Sequence, residues 1–352
     1  MLERVLRGGG PIAPEYPLVF EERFPGRLLA VREGDEVCTA CAILTREFLV
    51  DGTRVKGGLI GSVATGEEWR RHGLATRVLV EAEAALQVEG CAFALLWAEQ
   101  PEFYLKRGYG PIGCEVDFLL TEELARALPE VAGARAMTEE DVPAVHALYE
   151  RHSTRVERSL DESRALLGCP RMRRLVVERD GAVVAYACLG RGGDFEGTIH
   201  EWSGAKDDVL GLIRAHAELR FDQPARSDEH RMLYFLAPTS EAEVVDALEA
   251  AGAPTRRSML GLGKILDRQA TARVLNELLP PGASVEVVSD PARLPFLFHG
   301  AGKHGQLDDE GILALLFGVS EVREDVAAFL EDFGVPGAPL PIEPFAWGLD
   351  SI

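Results

Sequence analysis

The sequence lacks several features that would assign it to a common class. It has no run of about 18 apolar residues, so we expect no membrane span. Its first ten residues, MLERVLRGGG, contain no apolar core of the kind that a secretory signal peptide needs. Positive charge is scarce, because 37 Lys and Arg stand against 57 Asp and Glu, a net charge of −20. Nucleic acid and anionic membranes would repel such a chain, so neither is expected as a partner. The acidity favours cationic substrates such as amines, or it only keeps the chain soluble.

Cysteine is also scarce, and its spacing does not suit a metal site. Cys38 and Cys41 have CxxC spacing, but they lie in a strand-like run and would point to opposite faces of it. No second Cys or His pair follows at the spacing that zinc requires. We therefore expect reduced cysteines in the core, no metal, and a cytoplasmic location.

Length and pattern predict three segments. A chain of 352 residues exceeds one ordinary core, and 47% hydrophobic residues suffice to fill two or three. The pattern changes near residues 128 and 266, so the predicted domains are 1–128, 129–266 and 267–352.

In the first segment, strand patterns surround one long helical pattern. Asp51-Gly52 is a hairpin signal between two of the strands. An apolar run after the helix predicts a strand that is buried on both faces. The predicted elements are strands 28–33, 37–50, 55–65, 91–98 and 113–120 and a helix over 71–88.

The second segment repeats this order of elements, with a hairpin at Asp180-Gly181. The two segments are therefore predicted to be tandem copies of one fold, although their sequences hardly resemble each other. The third segment predicts a helix from 271, a strand over 283–290, two further helices and a proline-rich extended tail.

The stretch from strand 55–65 into the helix carries the clearest chemistry. Arg70-Arg71-His72-Gly73-Leu74-Ala75 places two arginines and a glycine where the helix begins. Backbone N–H groups at a helix start are unpaired, and the helix dipole adds partial positive charge there. A pyrophosphate fits such a turn. The alternative is a solvated basic surface turn, which leaves the surrounding arrangement unexplained.

These residues resemble the phosphate-binding motif of the GNAT acetyltransferases, R/Q-x-x-G-x-G/A, and FYLKRGYG (103–110) resembles the element beside the pantetheine arm in that family. The resemblance implies acetyl-CoA as cofactor and two roles for the backbone, pantetheine binding by the strand and phosphate binding by the turn. It places cofactor binding at Val63, Ala64, Thr65, Arg70, Arg71, His72, Gly73, Leu74, Ala75 and Thr76. Tyr104 stands where many relatives have their general acid; the alternative is an ordinary packed tyrosine. Tyr109 is expected to pack.

The tandem arrangement is similar to that of the Eis-like acetyltransferases. That resemblance implies tandem GNAT folds, mixed central sheets flanked by helices, within an α/β (α+β) class. It also implies a small sterol-carrier-like α+β domain at the end of the chain. The second segment has no equivalent of the phosphate turn, so we expect it to wall the acceptor pocket. The third segment is shorter than the family's.

In Eis-like enzymes the C-terminal carboxylate helps to deprotonate the amine, so the resemblance implies Ile352 as general base. The alternative is a disordered tail. His200 is a weaker candidate that could face the pocket. The predicted function is transfer of an acetyl group to a primary amine of a small cationic molecule or a lysine side chain, by direct attack in a ternary complex. The alternative is a non-catalytic acyl-CoA binding or sensing module. The acceptor is not identified, and a homo-oligomer is left open.

Overall fold

Three β-sheets organise the chain in the computed structural model, which describes residues 1–222 and 232–352. Two seven-stranded sheets are mixed, and a three-stranded antiparallel sheet lies near the C-terminus. Helices cover their faces. The predicted mixed α/β fold class is therefore confirmed. Among the described helices, none is long and apolar enough to cross a membrane.

The first sheet has the strand order β1-β2-β3-β4-β14-β5, and β8 pairs with β2 outside that path. Asp51 and Gly52 close the hairpin between β2 and β3 with φ of 47° and 90°. Positive φ at both central residues gives a turn whose twist matches that of the strands. The strands are β1 (Arg27–Glu33), β2 (Glu36–Val50), β3 (Thr53–Thr65), β4 (Phe93–Leu96), β5 (Gly110–Ile112), β8 (Thr154–Val156) and β14 (Gly261–Ile265).

The second sheet has the order β13-β6-β12-β11-β10-β9-β7. Asp180 and Gly181 close its β9–β10 hairpin, again with positive φ. The strands are β6 (Glu115–Leu120), β7 (Ala134–Ala136), β9 (Arg173–Arg179), β10 (Ala182–Arg191), β11 (Asp194–Ser203), β12 (Leu233–Pro238) and β13 (Thr255–Ser258).

The two large sheets exchange strands. β6 comes from the first predicted segment and pairs with β12 and β13 in the second sheet. β14 comes from the second predicted segment and lies between β4 and β5 in the first sheet. The boundaries at 128 and 266 stay a prediction, but the sheets do not follow them. Each large sheet needs a strand from the other segment to be complete.

Each large sheet carries one long helix after its bulged strand. α3 (Leu74–Val88) buries Val78, Leu79, Ala82 and Leu86 against the first sheet. α8 (Lys206–Phe221) covers the second sheet. The other α-helices described before residue 266 are α1 (Leu2–Arg7), α2 (Pro17–Phe20), α4 (Pro101–Leu105), α5 (Glu122–Ala127), α6 (Val142–Tyr149), α7 (Leu160–Leu167) and α9 (Ala242–Ala250).

The third segment contains a small sheet that was predicted only in part. One strand was expected, near 283–290, but the sheet has three: β15 (Ser284–Val287), β16 (Phe296–Gly300) and β17 (Lys303–Leu307). β17 is polar and short, so it gives little apolar alternation to detect. The sheet packs with α10 (Arg268–Leu278), α11 (Asp309–Phe317) and α12 (Arg323–Asp332). The likeness of this segment to a sterol-carrier domain stays a prediction.

The third segment and the tail pack against both large sheets. Phe317 of α11 contacts Phe93 of β4 at a ring-centroid distance of 4.5 Å. The tail then crosses to the second sheet, where Trp347 is fully buried against Trp202 and His152. Its course explains why Pro344 and Trp347 are buried, whereas Pro336 and Pro339, nearer the start of the tail, are exposed. The alternative of a disordered tail does not fit this packing.

Candidate active site

The first sheet opens between its two central strands. β3 and β4 pair in parallel only from Gly57–Phe93 to Leu59–Leu95, although β3 continues to Thr65. A β-bulge marks the point of separation, because the register of β3 against β2 shifts between Gly61 and Ala64. Beyond Leu59, the edge of β3 that faces β4 is not paired to any described strand. Its backbone groups can bind an extended ligand arm.

The predicted strand residues of the site lie along this open part of β3. Ala64 is buried, and Val63 and Thr65 are half-buried. The hydroxyl of Thr39 on β2 donates to the Ala64 carbonyl at 2.8 Å and lies 2.9 Å from the Thr65 hydroxyl. These bonds hold β3 on its β2 side. The opposite edge is left for a ligand.

The phosphate turn links β3 to α3 and is exposed. Arg70, Arg71, His72 and Gly73 all face solvent. Arg71 and Gly73 have left-handed backbone, with φ of 65° and 76°. A left-handed arginine is uncommon and bends the chain sharply into the helix.

The start of α3 leaves its backbone donors available. Gly73 is the N-cap, and no side chain among the described residues caps this helix. The N–H groups of Leu74, Ala75 and Thr76 therefore combine with the positive end of the helix dipole. A Cβ built at Gly73 would contact nothing, so the approach to these donors is open. This turn fits a pyrophosphate.

Tyr104 lies on α4 beside the open strands, in the small core that packs against α3. Its ring contacts Phe103 and Tyr109 edge-on, at 5.0 and 5.7 Å. Burial raises the pKa of Tyr104, the nearby Cys41 thiol adds to this, and the Arg107 guanidinium opposes it. Tyr104 therefore carries its proton at neutral pH, as a general acid must. Tyr109 is buried and donates to Glu83 at 3.1 Å, as expected for a packing residue.

Arg107 is a residue of this region that the sequence reasoning missed. Its Nε and Nη2 donate to the Thr76 hydroxyl at 3.2 and 2.6 Å, in the first turn of α3. Its guanidinium carbon lies 3.7 Å from the Phe103 ring centroid. Arg107 thus joins the segment that carries Tyr104 to the phosphate turn. The stretch FYLKRGYG contains two cations, Lys106 and Arg107, but its pattern does not show which of them contacts the start of α3.

The end of the chain reaches the bulge of β3. A Cβ added at Gly61 would clash with the carbonyl carbon and oxygen of Ile352, so only glycine leaves room there. Gly61 lies two residues beyond Leu59, the last residue of β3 that pairs with β4. The carbonyl group of Ile352 therefore lies where β3 and β4 separate, on the face opposite α3.

A cavity of about 950 Å³ surrounds this point. It lies between the two large sheets and receives residues from the carboxyl end of β4, from β11 and from the tail. Acidic groups dominate its charge. Its charged side chains are Glu99, Glu115, Asp194 and Arg256, and residues of the tail, among them Gly348, Ser351 and Ile352, complete the lining.

Glu115 has the most perturbed carboxyl of the cavity. Burial and the neighbouring Asp117 raise its pKa to about 8, and Arg256 lowers it only in part. Asp194 sits at the rim and accepts from Arg7 at 2.7 Å and from the Tyr16 hydroxyl. Sequence reasoning missed both carboxylates, because β6 and β11 are far apart in the chain and reach one cavity only in the folded sheet, where β12 lies between them.

His200 lies in the cavity wall, but its environment does not suit a base. It is fully buried, and its Nε2 lies 3.0 Å from the Gly190 carbonyl. Burial lowers the pKa of His200 to about 3, and the cations Arg191 and Arg158 contribute. The ring is thus a neutral structural group. All six cysteines are buried, as expected.

Comparison with known families decides the class of this site. Residues 17–112, which include the bulged strand, the phosphate turn and Tyr104, match the family model described as Acetyltransferase (GNAT) domain. The chain carries a GNAT-type acetyltransferase domain. Acetyl-CoA is the cofactor of this class, and the open edge of β3 and the uncapped start of α3 fit it.

Solved structures share the fold over nearly the whole chain. A probable N-acyltransferase from Enterococcus faecalis is 14% identical, with a TM-score of 0.70 over 100% of this chain and 95% of its own. A GCN5-related N-acetyltransferase from Anabaena variabilis is 14% identical, with a TM-score of 0.69 and the same coverage. Eis1 from Mycobacterium abscessus is 16% identical, with a TM-score of 0.58 over 98% and 94%. No curated protein matches the chain by sequence.

Proposed function

We propose that this GNAT acetyltransferase transfers the acetyl group of acetyl-CoA to a primary amine, on a small cationic molecule or a lysine side chain. The supporting observation is the position of the Ile352 carboxylate, at the bulge where β3 and β4 separate. The acidic cavity beside it supports a cationic acceptor, since Glu99, Asp194 and the carboxylate attract an ammonium group.

The reaction proceeds by direct attack in a ternary complex. Acetyl-CoA supplies the activated thioester when it is bound. The Ile352 carboxylate takes a proton from the ammonium group of the acceptor, and the neutral nitrogen attacks the thioester carbonyl. Tyr104 donates its proton to the departing thiolate, and the second proton that the acetylated nitrogen loses returns to Tyr104 through solvent. The products are the amide and coenzyme A, and the proton held by the carboxylate is released to solvent.

Cofactor binding follows the predicted residues. The backbone of β3 at Val63, Ala64 and Thr65 binds the pantetheine arm along the unpaired edge. The turn Arg70–Thr76 binds the pyrophosphate through its N–H groups, with Arg70 or Arg71 adding charge-assisted bonds. These roles follow from the open edge and from the uncapped helix start.

The base is tested by moving the carboxylate without removing the tail. The role needs Ile352 to be the last residue, which intact-mass measurement of the purified protein checks. One alanine added after Ile352 displaces the carboxylate by one residue. We expect kcat to fall by about 10²-fold with an unchanged KM for acetyl-CoA. Removal of the last few residues is expected to do the same, and unchanged turnover with an intact fold would rule the role out.

The acid is tested at Tyr104. Tyr104→Phe keeps the ring contacts and removes the proton, so kcat is expected to fall by about 10²-fold. Thiol release from acetyl-CoA is measured with butane-1,4-diamine and Nα-acetyl-lysine as acceptors. Full activity of the variant contradicts the acid assignment. Coenzyme A binding with no turnover on any amine favours the sensing module instead.

A further inference from the structure

The tail from Trp347 to Ile352 lies on the second sheet, and two buried arginines of that sheet's segment hold it. Arg191, at the end of β10, is 1% exposed. Its Nη1 donates to the Gly348 carbonyl at 2.5 Å and to the Ser351 hydroxyl at 3.0 Å, and its Nη2 donates to the Ser351 carbonyl at 2.9 Å. One guanidinium thus fixes two carbonyls on either side of a turn.

Arg191 is itself held from the other side by the N-terminal part of the chain. Its Nε donates to the Glu15 carbonyl at 3.1 Å, and its guanidinium carbon lies 4.2 Å from the ring centroid of Tyr16. A planar fork with donors in fixed directions can satisfy all these acceptors at once, which an ammonium group cannot. The guanidinium therefore has one orientation, and the tail takes its position from it.

Arg158 supplies the second point of attachment. Its Nε donates to Asp350 at 2.6 Å, and its Nη2 donates to Glu201 of β11 at 2.7 Å. The other oxygen of Asp350 accepts from the Tyr149 hydroxyl at 2.9 Å. Asp350 and Arg158 are both 1% exposed or less by side chain. A buried pair of this kind is strongly destabilised when one partner is lost, so it specifies one arrangement of the tail.

Backbone and ring contacts complete the attachment. The Gly348 N–H donates to the His200 carbonyl at 3.0 Å. The Trp347 indole packs on His152 at 4.3 Å and donates to the Thr154 carbonyl at 3.3 Å. His152, Thr154 and His200 belong to the second segment. Gly348, Ser351 and Ile352, in contrast, line the cavity beside the first segment.

We propose that Arg191 and Arg158 are positioning residues, which hold the tail as a wall of the acceptor cavity and keep Ile352 at Gly61. The second segment, which has no phosphate turn, thereby contributes to amine acetylation through the tail. This inference rests on the proposed function, since it takes the cavity as the acceptor site.

The test compares Arg191→Gln and Arg191→Lys with the wild type. Hydrogen–deuterium exchange of the peptide 346–352 reports on the tail directly. Exchange is expected to rise at least tenfold in Arg191→Gln and less in Arg191→Lys. For butane-1,4-diamine, kcat/KM is expected to fall at least tenfold, with the KM for acetyl-CoA within twofold of wild type. A smaller effect in Arg191→Lys than in Arg191→Gln would indicate that the hydrogen-bond donors of Arg191 position the tail.

Arg214→Gln is the control, because Arg214 is a half-buried arginine that, like Arg191, donates to a backbone carbonyl, that of Leu128, at 3.0 Å. It is expected to change neither readout. If Arg191→Gln fails to fold, Asp350→Asn gives the second comparison, since it weakens the Arg158 pair with little change of volume.

The outcomes separate the two proposals. Wild-type tail exchange and wild-type amine kinetics in folded variants would overturn the positioning role. A rise in the KM for acetyl-CoA equal to the loss for the amine would also overturn it, since the arginines would then act on the whole fold. If the wild type acetylates no amine, the proposed function fails, and tail exchange alone decides whether the arginines hold the tail.

Discussion

The two large sheets share one plan and differ at the start of one helix. In both, a bulged strand runs parallel to its neighbour for two or three residues and then leads into a long helix. In the first sheet, α3 starts at an exposed glycine and has no acid in its first turn. In the second, α8 starts with Asp207 and Asp208, and Asp208 accepts from Arg179 at 2.6 Å. Carboxylates already occupy the positive end of that helix, so a phosphate is repelled there.

The gap between the separated strands differs as well. In the first sheet, the edge of β3 is open beyond Leu59. In the second, Trp202 of β11 donates to the Leu236 carbonyl of β12 at 2.9 Å and stacks on Phe235. The indole thus bridges the strands where the first sheet leaves room for a ligand. We propose that the first sheet binds the cofactor in this opening, whereas the second sheet uses the same opening to build a core and to pack Trp347.

The largest expected effect concerns Trp202, whose indole fills the gap between β11 and β12. Trp202→Ala removes a fully buried indole and leaves a cavity, so the free energy of unfolding is expected to fall by about 3–5 kcal/mol. Urea denaturation measures it. The KM for acetyl-CoA is expected to stay unchanged, because the proposed cofactor site lies in the other sheet. A raised KM in the folded variant would contradict the division of roles.

The next effect tests the helix start. Ala75→Asp gives α3 an acid in its first turn, as α8 has at Asp207. We expect the KM for acetyl-CoA to rise about 10- to 100-fold through repulsion of the pyrophosphate. Val80→Asp is the control, since it adds the same charge to the exposed side of the same helix, farther from the turn. An equal rise of the KM in the two variants would show that the net charge of the protein weakens acetyl-CoA binding, and that the position at the turn does not matter.

A smaller effect is expected at the bulge. Gly61 makes room for Ile352, whereas the matching position before the bulge of the second sheet is Ile199. Gly61→Ala is expected to displace the carboxylate and to lower kcat about tenfold. Steady-state kinetics with butane-1,4-diamine measures it. Wild-type kcat in this variant would mean that Ile352 is not in the reacting position.

The smallest effect concerns pH. The pKa of Glu115 is raised to about 8, above its value in the unfolded chain, so folding favours the protonated form. Its contribution to stability is complete below the unfolded pKa and is lost as pH rises toward 8. Glu115→Gln is expected to lose less stability than the wild type between pH 5 and 8. Urea midpoints across this range measure the difference, and parallel curves would contradict the assignment.

The sequence predicted those parts of the site that are local in the chain. The turn at Arg70–Ala75 and the strand before it were visible because glycine, charge and periodicity change within a few residues. The Asp51-Gly52 and Asp180-Gly181 hairpins were visible for the same reason. The order of helices and strands along the first two segments was also predicted.

Long-range features were not predictable in this way. Nothing local in SMLGLGKIL shows that β14 pairs between β4 and β5 of the other sheet. Glu115 and Asp194 line one cavity from two strands that are distant in the chain, so no local pattern in the sequence predicts that cavity. Arg158 and Arg191 look like ordinary surface cations, and only the folded tail shows why they are buried.

One measurement tests the contrast between the sheets most directly: calorimetric titration of the protein with coenzyme A. The account predicts one binding site per chain, and loss of that site in Ala75→Asp while Val80→Asp keeps it. Two sites per chain, or binding that survives Ala75→Asp unchanged, would contradict the claim that the turn of the first sheet alone holds the cofactor.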